Sequence, residues 1–165
     1  MPVSPRLLDY TQQRRVVLFR QLMGQKIAAR RRQQRWSQEA LAHQAGWSRQ
    51  RLSRVEIGAS SIATDRLLAL AEVLECEVAD LVPTREEVAK EEERMRPFAA
   101  QEIARFISEE GATTPVSVLK RDDGTLAVDA SSSTGGITFT ADPEQSMFLQ
   151  DLHEDEIAEL ITRAL

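Results

Sequence analysis

The chain has 165 residues, enough for one ordinary domain or two small ones, and its 42% hydrophobic content can fill a core, which excludes disorder throughout. No apolar run approaches the ~18 residues that span a bilayer, and the start MPVSPRLLDYTQQRR lacks the apolar region of a secretory signal, so a cytoplasmic location without a membrane partner is expected. The net charge of −5 is uneven: residues 1–60 hold 12 Lys and Arg against 3 Asp and Glu, residues 61–165 hold 9 against 23, so the first part attracts phosphate and the second repels it.

In chain order, Ser4-Pro5 reads as a helix start. Arg6 to about Gln34 is one helix or two, with Val16, Phe19, Met23 and Ile27 as its apolar stripe and Gly24 as the point where it would divide. Ser37 can cap a second helix, Glu39 suits its positive end, Leu41 and Ala45 face inward, and Gly46 suits its left-handed end. After Trp47, Ser48 can cap a third helix, in which Leu52 and Val55 face the core. Arg49, Gln50, Ser53 and Arg54 fall on the other side. Gly58 ends this helix and GASSIA is a loop. Thr64 can cap a fourth helix, Asp65 to Leu74, which buries Leu67, Leu68, Leu70, Ala71 and Leu74, and Val78 to Leu81 makes a short fifth. The single cysteine, Cys76, forms no intrachain disulfide and reads as a small apolar residue.

After Pro83, Thr84 to Glu87 has the spacing of a capping box, and its helix offers the ion pairs Glu86–Lys90 and Glu92–Arg96. Pro97 interrupts the pattern, and a more apolar helix with Phe98, Ile103, Phe106 and Ile107 runs to Gly111. PVSVLKR and TLAVDA alternate about a DDG turn, a hairpin signal. SSSTGG reads as a flexible loop, ITFT as a third strand, and Leu152 to Leu165 as a helix with Ile157, Leu160 and Ile161 on one face.

Ser37 to Gly58 therefore reads as two short helices about a glycine turn, with Arg49, Gln50, Arg51 and Arg54 on the outer surface of the second. Arginine and glutamine make paired hydrogen bonds to base edges in the major groove, so the chemistry points to double-stranded DNA.

Ser37-Gln38, Leu41-Ala42, Gly46-x-Ser48, Leu52-Ser53, Glu56, Gly58 and LLALAEVLECEVADL together resemble the Cro/C1-type (XRE) helix-turn-helix family over about Met23 to Val82. The resemblance implies a five-helix lambda-repressor-like DNA-binding domain (22–82); the residue pattern adds an arm or helix before it (1–21), a helical linker (83–110) and a small α+β domain (111–165) that resembles no recognised family, so the chain is expected to be mainly α. It implies base reading by Arg49, Gln50, Ser53 and Arg54, phosphate contacts from Gln38, Ser48, Arg51 and Arg66, and an ion pair of Arg31 with Glu56. Arg30, Trp36 and Trp47 depart from the family pattern.

Other features read more plainly. Arg30-Arg31-Arg32 with Arg35 is a phosphate grip or a solvated helix face, Trp36 and Trp47 are core plugs, and His43 is exposed. His153 with Glu154, Asp155 and Glu156 is an acidic helix start, since it lacks the second histidine or cysteine of a metal site. Gly135-Gly136 is no phosphate loop, and Ser131 to Ser133 have no partner base, so no metal, cofactor or enzyme activity is expected. The expected function is a sequence-specific transcriptional regulator, a repressor acting as a homodimer. The alternative is an antitoxin that represses its own operon and covers a basic toxin with its acidic C-terminal part.

Overall fold

The computed structural model describes residues 10–165, and the expected helix start at Ser4-Pro5 lies outside them. Its elements are α1 (Tyr10–Gln33), α2 (Gln38–Gln44), α3 (Arg49–Glu56), α4 (Thr64–Val73), α5 (Val78–Leu81), α6 (Arg85–Glu109), β1 (Ala112–Lys120), β2 (Leu126–Ser132), β3 (Gly135–Ala141), α7 (Pro143–Ser146) and α8 (Glu154–Ala164). They form two compact units, a helical one (Arg15–Lys90) and an α+β one (Glu91–Leu165 with the described residues up to Arg14).

The helical unit closes on Met23, Ile27, Leu41, Trp47, Leu52, Val55, Leu67, Leu70, Leu74 and Leu81. Gly24 does not divide α1, which runs through it unbroken. The glycine is there for space: a Cβ would lie 2.4 Å from the carbonyl oxygens of both Val55 and Glu56. The last turn of α3 thus rests on the α1 backbone.

Four consecutive helices end in the same left-handed closure. The amide two residues past the last turn bonds back across it in Trp36→Arg31, Trp47→Ala42, Ala59→Arg54 and Cys76→Ala71. Gly46 (φ 68°) and Gly58 (φ 79°) take the left-handed position in two of them, while Arg35 (φ 60°) and Glu75 (φ 50°) take it in the others despite their Cβ atoms. Ser37 and Ser48 cap α2 and α3, accepting from the amides of Ala40 and Arg51. Two expectations for α4 change. Ala63, not Thr64, is its N-cap and gives no side-chain bond, and Leu68 is exposed because it lies opposite the row Leu67, Leu70, Ala71. Burial pushes the half-buried Cys76 thiol up from its ordinary value, against the influence of nearby Arg30.

Thr84 and Glu87 exchange the two bonds of a capping box at the start of α6. Glu87 also accepts from Lys26 at 2.7 Å, and this bond, then the Thr84 amide, hold its carboxyl below the usual range. The cap is present above the ordinary glutamate pKa and is lost as pH falls through the lowered one.

Pro97 does not interrupt α6. The proline faces solvent, where water can satisfy the carbonyl it leaves free, while Ala99, Ala100, Ile103, Ala104 and Ile107 bury the opposite face. The expected Glu92–Arg96 pair does not form. Glu92 accepts from Arg14 Nε at 2.7 Å, and Arg96 bonds Asp151 at 2.7 Å. Arg14 is only 1% exposed and also bonds Asp151 and the Met147 carbonyl.

The sheet is antiparallel with order β1-β2-β3. Val118, Val128 and Phe139 stand opposite one another on the inner face, joined by Leu126, Ala130, Leu149, Ile157 and Ile161 in the core. The expected DDG turn is present, with Gly124 at φ 82° and Asp123 bonded to the amide and hydroxyl of Thr125. SSSTGG is not a flexible loop but a tight turn between strands, where Ser132 Oγ bonds the Gly135 carbonyl at 2.8 Å. α7, unforeseen from the sequence, starts with Asp142 and Gln145 in a capping box. His153 caps α8 in another with Glu156.

Gly24→Ala tests the close approach. Helix propensity alone favours alanine by about 1 kcal/mol. The backbone clash reverses the sign, with a loss of about 3 kcal/mol expected in urea unfolding. A more stable variant would refute the contact.

Candidate nucleic-acid interface

α3 has eight residues, and its two faces differ completely. Leu52, Val55 and Glu56 are buried, whereas Arg49, Gln50, Arg51 and Arg54 are exposed and Ser53 is half-buried. The split follows from sequence spacing: Leu52 and Val55 lie three apart, and the polar residues fill the remaining arc. The Arg51 guanidinium lies 4.9 Å from the centroid of the Trp47 ring, so a core residue also supports a surface cation.

The orientation of α3 is fixed by charge as well as by packing. Arg31 Nε donates to Glu56 Oε1 at 2.6 Å, and its NH2 group donates to Oε2 at 3.1 Å. The third donor goes to the Trp36 carbonyl at 2.8 Å, so the cation also closes the end of its own helix. Both side chains are almost completely buried. Glu56 Oε2 takes a further bond from Gln38 Nε2 at 2.8 Å. Gln38 therefore starts α2 with its amide already directed, and among the described residues one amide hydrogen and the amide oxygen are left over.

The remaining candidates are dispersed. The Ser48 hydroxyl oxygen accepts from the Arg51 amide at the α3 start, a bond that does not use its O–H, and Arg66 is exposed on α4. The basic run splits by function. Arg31 is the buried partner of Glu56, while Arg30 spans the Leu74 and Glu75 carbonyls at 3.2 and 2.8 Å and closes the end of α4. Arg32 and Arg35 stay exposed. Sequence reasoning missed the roles of Arg30 and Trp47. The signal for Arg30 was its place where the family pattern is aliphatic, but the carbonyls it reaches belong to a helix end that no glycine marks.

Removing one partner of a buried pair leaves an uncompensated charge, at a cost of about 3–5 kcal/mol. Glu56→Ala and Arg31→Ala should each lower stability in that range by urea unfolding. The double variant should lose much less than the sum. Strict additivity would show that the pair contributes no coupling.

Residues 27–81 match the family model described as Helix-turn-helix, HTH_3. Among solved structures, the chain is similar to a restriction–modification controller protein from Aeromonas hydrophila, at 32% identity over 40% of this chain and 94% of that one, with TM-score 0.36. A hypothetical transcription factor from Neisseria is similar at 29% identity over 44% and 83%, with TM-score 0.39. The clp gene regulator ClgR from C. glutamicum is similar at 23% identity over 44% and 91%, with TM-score 0.39. Comparison with curated proteins gave no match.

Proposed function

Residues 27–81 belong to the Cro/C1-type helix-turn-helix family of DNA-binding transcriptional regulators, and from this premise we propose that the chain is a sequence-specific repressor that binds duplex DNA as a homodimer. The observation that carries the proposal is the outward row Arg49, Gln50, Arg54 on a helix whose opposite face is locked by Leu52, Val55 and Glu56. None of the three reading side chains has a folding duty among the described residues that would compete with DNA.

Arg49, Gln50 and Arg54 read base edges in the major groove, with Ser53 beside them. Gln38, Ser48, Arg51 and Arg66 meet phosphates and set the register. Glu56 supports both groups, because it fixes α3 through Arg31 and aims Gln38 through its second oxygen. Two copies would present their α3 helices to half-sites about 34 Å apart, and covering a promoter in this way represses it.

Selection of bound sequences from a random duplex pool, followed by affinity measurements on the selected site, tests the assignment. Arg49→Ala and Arg54→Ala should each relax preference at one base pair, with about 1–3 kcal/mol of discrimination lost. Gln38→Ala should weaken selected and random duplex alike. If all three variants lose affinity equally on both duplexes, the division between reading and gripping is wrong.

A further inference from the structure

The two edges of the sheet are treated differently. On β1, Pro115 has no amide to offer, and the pairing with β2 shifts between Thr113 and Val116. The Lys120 amide is taken by Glu154 Oε1 at 2.6 Å, and its ammonium bonds the Gln150 carbonyl at 2.8 Å. β3 has none of these protections. It contains no charge and no proline, and its seven residues match β2 one to one without a bulge. A Cβ at Gly135 or Gly136 would meet nothing within 4 Å. A regular strand whose outer amides and carbonyls meet no backbone partner among the described residues is a template for another strand.

We propose that the β3 edge joins two copies of this chain, β3 against β3 antiparallel about Thr138, into one six-stranded sheet. The inference rests on the dimeric reading above and names the surface that makes the dimer. The strand is its own complement in this register. Ile137 stands opposite Phe139 of the second copy, Gly136 opposite Thr140 and Gly135 opposite Ala141, so every residue from 135 to 141 has a partner. A two-fold axis normal to the sheet keeps the helices of both copies on one face. There Phe106, 38% exposed, stacks on Phe139 with centroids 5.7 Å apart, and the added strand brings a second Ile137 beside this pair.

An uncharged strand lets a like copy approach along this strip despite the acidity of the unit. On the outer face Asp129 stands opposite Thr138 and accepts from its hydroxyl at 2.5 Å. Across the seam two Asp129 side chains lie three strand spacings apart, about 14 Å. That exceeds the Debye length of about 10 Å at 0.1 M salt, so their repulsion is largely screened. The contact is smaller than the roughly 20–30 residues per side of a standard interface, so the dimer should dissociate on dilution.

Light scattering on the full 165-residue chain should give twice the 18.5 kDa chain mass when concentrated and approach 18.5 kDa on dilution. Thr138→Pro should stay at the single-chain mass throughout. In a Cys76→Ala background, Thr138→Cys should give a disulfide-linked dimer under mild oxidation. Ser117→Cys, in the same outer row on β1, should not. The cysteine pair decides the matter if the proline variant misfolds. A Thr138→Pro chain that is folded, dimeric and operator-binding would overturn the edge and leave the dimeric regulator standing. A wild-type chain that is monomeric at every concentration and binds single half-sites would overturn both.

Discussion

The bidentate contact between Arg31 and Glu56 is the constraint on which the helical unit turns. Two buried charges are costly unless each is fully partnered, and here they are. Arg31 spends one further donor on Trp36, and Glu56 accepts a third bond from Gln38. One pair therefore ties the end of α1, the start of α2 and the end of α3 to one another. Gly24 makes the contact sterically possible by letting the α3 carbonyls settle on the α1 backbone. Apolar packing alone would allow α3 to rotate by small amounts about its axis. A forked, two-point hydrogen bond does not, and it gives the outward row of α3 a defined direction.

The α+β unit uses a similar device with a different geometry. Arg14 gathers Glu92, Asp151 and a backbone carbonyl around one buried guanidinium, while Arg96 holds the other oxygen of Asp151. The apolar core of this unit is separate and lies between the sheet, the second half of α6 and α8. Its outer sheet face is rich in hydroxyls, with Ser117, Thr138 and Thr140 around Leu119.

What the sequence made legible was whatever depends on neighbours along the chain. Ser37 and Ser48 as caps, Gly46 and Gly58 as helix ends, and the alternation about Asp122-Asp123-Gly124 are all local signals, and all are present. The division of α3 into Leu52 and Val55 against Arg49 and Arg54 was legible for the same reason. The misreadings came from tertiary contact. Gly24 looked like a helix breaker because its neighbour across the core is invisible in sequence. Pro97 looked like a stop because nothing beside it in sequence showed that it would fall on the solvent face of one continuous helix. Glu92 looked like a partner for Arg96, but Arg14 lies 78 residues away. Arg35 and Glu75 adopt left-handed backbone without the glycine that would announce it. The base-reading assignment is legible only through family resemblance and outward placement, since no operator enters into either.

The way Arg30 is used bears on ionic strength. The first 60 residues appear strongly cationic by count, with 12 Lys and Arg. Arg14, Lys26, Arg30 and Arg31 are already bonded to carboxylates or helix-end carbonyls inside the protein. Arg14, Lys26 and Arg31 are neutralised by their carboxylates and displace no counterion from a duplex, whereas Arg30, held by neutral carbonyls, keeps its charge but is tied to a helix end. Each one withdrawn lowers the steepness of log affinity against log salt by about 0.9. The charge census therefore overstates the cation available to a duplex, and the exposed arginines of α3 make up a correspondingly larger share of it.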